Sequence, residues 1–416
     1  MKISQSDTST LLVAITEALQ DGKITKHGSF KIDTQWENKT INALSEEFSK
    51  ILIKSLDGSS LSFFLRERLK YIKVESRQEN PNSETSITKL ECFSDPLKLA
   101  RRIVSDLSRI PTSYRMLVPI CQELADRIEC IDINVKISDR LTIYSSDRIP
   151  SSFKFKHDDN EIDDIIISYH QRSEFELKDD RLFLEFRGSG YLSGRKKSGL
   201  VEEFYDETRS FYGACLVYGI ISSNPSFFID ELEPYLVSNS IIDGKENLAH
   251  VERVDEDIAR CANLATTSET DDMIENGISI DEIMSPVKSV FNKTNSEKLK
   301  TACAWNLRSH LSSRELDKIL ESAITIEVLM GDRETSDRIG LTKLMANRCA
   351  YAIGKNSEDR ESIIKFFIDF YRVRSEVVHS GRTFLRGNEK KIVDKGLDLA
   401  TNILRNEISI STDRKS

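Results

Sequence analysis

IDINVKISDRLTIYS, residues 131–145, is the stretch that sets the fold class. Ile131, Ile133, Val135 and Ile137 alternate with Asp132, Asn134 and Lys136, a period of two that puts the apolar side chains on one face of a strand. Ser138-Asp139-Arg140 then turns the chain into LTIYS, so the stretch reads as a hairpin with one buried face. Upstream the period is helical. Asp95 and Pro96 form a cap and first-turn pair for a helix through Leu97, Leu99, Ala100, Ile103, Val104 and Leu107, which Pro111 ends. Downstream, residues 165–169, 174–177 and 182–187 are further strand candidates, followed by a helix built on Leu200, Phe204, Thr208, Phe211, Cys215 and Gly219. Helices and antiparallel strands in one region make the chain α+β.

Working outward, 416 residues are enough for two or three cores. Residues 1–90 read as a helical segment, with apolar spacing of three to four over 8–19, 38–56 and 60–74. The polar run 75–89 contains Pro81 and reads as a linker or long loop. Residues 91–250 form the α+β domain. Beyond Asp243 the text turns acidic and weakly patterned, which places a linker or domain boundary at 250–290 and an all-α bundle at 291–416. The apolar run Leu11 to Ile15 is too short for a signal sequence or a membrane span, and no later segment is long enough either. Seven scattered cysteines without a CxxC pair point to a reduced, cytoplasmic protein with no zinc site.

A net charge of −9 argues against a chain coated in nucleic acid, but the charge is uneven. Residues 301–416 hold 20 Lys and Arg against 17 Asp and Glu, and residues 371–395 hold seven against three. The basic excess lies within the expected bundle. Four helices are expected there, and three of them each carry a charged residue on the apolar face. In LESAITIEVLMG (320–331) it is Glu327, in LMANRCAYAIG (344–354) it is Arg348, and in FYRVRSEVVHSG (370–381) it is Arg374. Burying such a charge costs several kcal/mol unless it meets a partner, so the simplest expectation is that Glu327 holds Arg348, Arg374 or both. A structural ion-pair network is the alternative reading. The third helix starts after Ser357, read as its N-cap, and His379 sits in its last turn before a Ser-Gly stop. Five residues is about 500° of helix, so Arg374 and His379 stand roughly 140° apart and can flank one pocket. A basic side chain complementing the helix dipole is the other reading of His379.

These three segments, in this order and spacing, resemble the ApeA-like branch of the HEPN family, and TACAWNLRSH (301–310) is similar to that branch's preceding helix. The resemblance covers roughly a quarter of the chain. It implies a bundle that forms a homodimer in which two Arg-x4-His segments face each other as a metal-independent endoribonuclease centre, with no cofactor. By position, Arg374 and His379 are the catalytic pair, Glu327 and Arg348 support them, and Ser375 and Glu376 fill the motif's interior. The expected products are a 2′,3′-cyclic phosphate and a 5′-hydroxyl. The family context suggests a prokaryotic antiviral-defence or toxin-like effector whose N-terminal region binds a trigger or regulator. The alternative is a non-catalytic HEPN module that binds RNA or nucleotide and mediates dimerisation.

Candidate RNA or phosphate contacts are Arg372 and Arg382 beside the motif, and Arg195, Lys196 and Lys197 after the Gly-rich GSGYLSG (188–194), whose other reading is a turn into the next helix. The acidic run HDDNEIDD (157–164) lacks calcium-loop spacing and reads as a solvated loop. His27, His157, His170, His250 and His310 stand apart from any metal or catalytic pattern.

Overall fold

Over its described residues, 132–145, the alternation folds as the hairpin it spells. The computed structural model describes residues 1–76, 78–128, 132–149, 181–192, 199–225, 235–242, 244–331 and 340–413. The N-terminal part runs α1 (Gln5–Asp21), β1 (Lys23–Ile24), β2 (Phe30–Lys31), α2 (Gln35–Ala43), α3 (Glu46–Ser55), α4 (Leu61–Glu75), β3 (Thr85–Ser86) and α5 (Pro96–Ser108). The middle runs β4 (Thr112–Pro119), α6 (Gln122–Arg127), β5 (Asn134–Lys136), β6 (Leu141–Ser145), β7 (Leu182–Gly190), α7 (Gly199–Val217), β8 (Ile221–Pro225), β9 (Tyr235–Ile242) and β10 (Lys245–Arg253). Next come α8 (Glu256–Ala262), β11 (Leu264–Thr266), α9 (Ser268–Glu275), α10 (Ile280–Ile283) and α11 (Ser285–Phe291). The bundle is α12 (Ser296–Leu311), α13 (Glu315–Met330), α14 (Leu341–Ile353), α15 (Ser357–Ser380) and α16 (Gly387–Asp413). The chain is α+β, with its described strands all before residue 267 and the helical bundle from residue 296 onward.

β5 and β6 pair antiparallel with Val135 opposite Ile143, and they edge a six-stranded sheet of order β10-β9-β4-β7-β6-β5. Its central strand, β4, was not legible in the sequence. Arg115 sits in the middle of TSYRMLVP, and it is tolerated because its guanidinium bonds Glu185 of β7 and, at 2.6 Å, Glu246 of β10. The strand candidates at 165–169 and 174–177 lie outside the described residues, and the candidate at 182–187 is β7.

Three expectations in the N-terminal half change. The helix expected over 38–56 is two helices, because Asp7 of α1 accepts hydrogen bonds from the Ser45 amide (2.8 Å) and hydroxyl (2.9 Å), and Ser45 is extended. Those bonds, with Ser4's, hold the Asp7 carboxyl below its ordinary range. The segment is also not all helical, since β2-β1-β3 form a small antiparallel sheet. The run at 75–89 enters that sheet through β3, and Ile87 is fully buried.

The cores also part elsewhere than at residue 90. One buried cluster joins Leu11 to Ile110, including Leu99, Ala100, Ile103 and Leu107 of α5, and takes in Tyr191. The other runs from Tyr114 to Ile408 and includes Ile258, Cys261, Ile283, Val287 and Val290 from the stretch expected as a linker. Acidic residues there occupy the first turns of α8, α9 and α10, where the helix dipole favours negative charge, so they mark helix starts.

Helix α7 joins sheet to bundle. It buries Leu200, Phe204, Thr208, Phe211 and Cys215 and also residues on its other faces, including Tyr205, Tyr212 and Gly213. A Cβ at Gly213 would overlap the backbone carbonyl of Cys303 in α12, so glycine is what allows the two helices to approach so closely. Gly213→Ala is therefore expected to destabilise the fold by about 3 kcal/mol. The urea midpoint measures it, and an unchanged midpoint would show that the helices separate at no cost.

Candidate functional site

Helix α15 carries the site. Asn356, rather than Ser357, caps it, its side chain accepting from the Asp359 amide at 2.9 Å, and Gly381 ends it in the left-handed region at φ 64°. Phe367, Phe370, Val373 and Val377 point into the core. Arg374 lies beside that face, and its guanidinium reaches α13, where Nη2 stands 3.1 Å from Glu327 Oε1. Tyr371, one turn before Arg374, donates its hydroxyl to the same oxygen at 2.9 Å and lies under the guanidinium, 5.3 Å from ring centre to Cζ. Burial and then the Glu327 charge push the Tyr371 phenol up to about 12, so it stays protonated and keeps donating. Arg374 and Glu327 are 20% and 28% exposed, so the pair is partly screened and orients more than it stabilises.

Arg348 of α14 comes to the same end of α13, where Nη1 donates to the Met330 carbonyl at 2.8 Å, complementing the helix C-terminus. The three charges therefore gather around the last turn of α13, as their places on the apolar faces require. Arg374 Nε is buried and has no hydrogen-bond partner among the described residues, which leaves a donor of a permanently charged group unsatisfied.

His379 is exposed at the C-terminal end of the same helix. The interior motif residues differ in role. Ser375 is half-buried on the flank of α15. Glu376 accepts from Arg372 Nη1 at 2.9 Å and from Arg382 Nη1 at 2.8 Å. Arg382 also grips Glu389, at 2.6 Å and 3.2 Å, and Glu389 in turn accepts the Arg386 amide at 2.7 Å. Arg382, one of the candidate RNA contacts, is thus engaged in fastening the loop after the motif, while Arg372 is exposed but paired. Arg382 holds the Glu389 carboxyl below its ordinary range, and the two carboxylates raise Arg382. Arg195, Lys196 and Lys197 lie outside the described residues.

Two features beside the motif were missed in the sequence. Tyr371 belongs to the Arg374–Glu327 pair, and its position three residues before Arg374 was the available signal. Ile364, Ile368, Tyr371, Ser375 and Val378 are spaced four, three, four, three, a heptad stripe that spans about 80° of helix between Arg374 and His379. Ile368 is 43% and Val378 47% exposed. His310 is not part of the site, since its Nε2 lies 3.1 Å from Thr401 Oγ1 between α12 and α16, where burial lowers its pKa.

Five of the six described cysteines are buried and all six are free, and burial pushes Cys121, Cys303 and Cys349 up to about 12, which leaves those three thiols poor nucleophiles. Among the described residues no helix is long and apolar enough to cross a membrane. No protein-family model, curated protein or solved structure matches this chain.

Proposed function

We propose that the bundle acts on a phosphodiester backbone, and more particularly that the chain is a metal-independent endoribonuclease of the HEPN type. The observation that carries the reading is Arg374. Its guanidinium is fixed by Glu327 over Tyr371, it retains a buried donor without a partner among the described residues, and it lies about one and a half turns from an exposed imidazole. RNA brings its own nucleophile, so an enzyme for it needs a proton carrier and a cation. In the proposed reaction the 2′-oxygen bonds to phosphorus as a His379 imidazole takes its proton. The bond from phosphorus to the 5′-oxygen breaks, and that oxygen is protonated by a second His379, from another copy of the chain. Arg374 neutralises the charge that grows on the phosphate oxygens. The heptad stripe between the two residues is the surface on which the second copy would seat. A place in antiviral defence or a toxin-like response, with the N-terminal region receiving the trigger, rests on the family resemblance alone.

The products test this directly. Cleavage in excess chelator is expected to leave 2′,3′-cyclic phosphate and 5′-hydroxyl ends, read by resistance to polyadenylation and by labelling with polynucleotide kinase. Linear 3′-hydroxyl ends, or activity that appears only with added divalent cation, would overturn the reading. RNA that binds and stays intact would leave a non-catalytic binding module.

A further inference from the structure

The connection from α15 to α16, residues 381–386, begins two residues after His379 and exposes a large aromatic side chain. Phe384 is 70% exposed, although Leu385 beside it is buried and anchors the loop. The loop is also held at both ends. Arg382 bridges Glu376 on α15 to the buried Glu389 on α16, and the Arg386 amide closes on Glu389. Phe384 therefore projects from a fastened support, so ordering it on binding would cost little entropy. Along the loop and the first turns of α16 the exposed charge is mainly basic, with Arg386, Lys390, Lys391 and Lys395 against Asp394. An exposed aromatic ring among cations is the arrangement that holds single-stranded nucleic acid, where any unpaired base offers a face to stack on and the phosphates meet the cations. In a duplex the bases are already stacked and give such a ring nothing to hold.

We propose that Phe384 is a base-stacking residue that binds an unpaired nucleotide next to the scissile phosphate, so that the substrate must be single-stranded there. The inference rests on the ribonuclease reading for the position of the phosphate, but its test does not require cleavage. Fluorescein-labelled 2′-O-methyl RNA of twelve nucleotides has no free 2′-hydroxyl and stays intact. Its binding to the full chain is measured by anisotropy, alone and annealed to its complement, with the oligomeric state followed by sedimentation.

The wild-type chain is expected to bind the single strand more tightly than the duplex. Phe384→Ala should weaken single-strand binding by about 10-fold to 100-fold, the range of one base stack. Phe384→Trp should retain binding, Phe384→Leu should lose it, and the sedimentation of all four should agree. The inference is overturned if Phe384→Leu binds like the wild type, or if Phe384→Ala leaves binding unchanged. It is overturned as well if Phe384→Ala alters the oligomeric state, which would make the ring a contact between copies. Absence of RNA binding by the wild-type chain would remove both the inference and the ribonuclease reading. Loss of binding in Phe384→Ala beside a wild type that never cleaves unmodified RNA would remove only the latter.

Discussion

His379→Ala is expected to lower RNA cleavage by roughly 10²–10⁴-fold, the usual contribution of a positioned proton carrier, while leaving the unfolding midpoint almost unmoved. The second half follows from exposure. A surface side chain in the last turn of α15 contributes within about 0.5 kcal/mol to stability, so lost activity is not lost fold. Arg374→Ala is expected to cost roughly 10²–10³-fold, as removal of one preorganised charge stabiliser does. It should also carry a small stability penalty, because among the described residues Glu327 then keeps only the Tyr371 hydroxyl. Arg374→Lys restores a charge but not the planar fork, so it should recover only part of the rate. The readout is initial cleavage rate beside a urea titration of each variant. Wild-type rates in both His379→Ala and Arg374→Ala would remove these residues from the chemistry. Equal losses of rate and stability in His379→Ala would assign it a structural role.

Legibility followed the length and regularity of each pattern. The hairpin at 134–145 was readable because an edge pair needs only its own alternation, and so was α7, whose buried positions recur over 19 residues. The Glu327–Arg374 pair could be anticipated because charges on an apolar face must find partners. What escaped was whatever depends on residues far away in the chain. β4 escaped because Arg115 interrupts its apolar run, and the charge is made acceptable by partners such as Glu185 and Glu246, 70 and 131 residues onward. The β9–β10 hairpin around Gly244 was hidden because Ser238, Asn239 and Ser240 are polar yet buried, which erases the alternation. The break between α2 and α3 depends on Asp7 reaching Ser45 across 38 positions. In the site, Glu376 stood out as part of the motif, but its partners Arg372 and Arg382 make it a fastener for the loop that follows.

The heptad stripe makes the proposed dimer testable without touching Arg374 or His379. Ile368→Glu is expected to raise the dimer dissociation constant by roughly 100-fold or more, because it would bury a carboxylate with no partner, at a cost of several kcal/mol. In a two-fold dimer the same helix lies across the axis, so each glutamate also approaches its own copy and repels it. Folding should be spared, since Ile368 is 43% exposed in the single chain. Cleavage should fall with the dimer, and it should return at protein concentrations high enough to force association, because Arg374 and Glu327 remain paired in each chain. Ile368→Leu, which keeps an apolar side chain of the same volume, should leave both mass and rate unchanged. Sedimentation velocity and cleavage across one dilution series separate the possibilities. A chain that dimerises and cleaves normally as Ile368→Glu joins its copies elsewhere. A chain that cleaves as a monomer needs no second His379, and the 5′-oxygen would then take its proton from another donor.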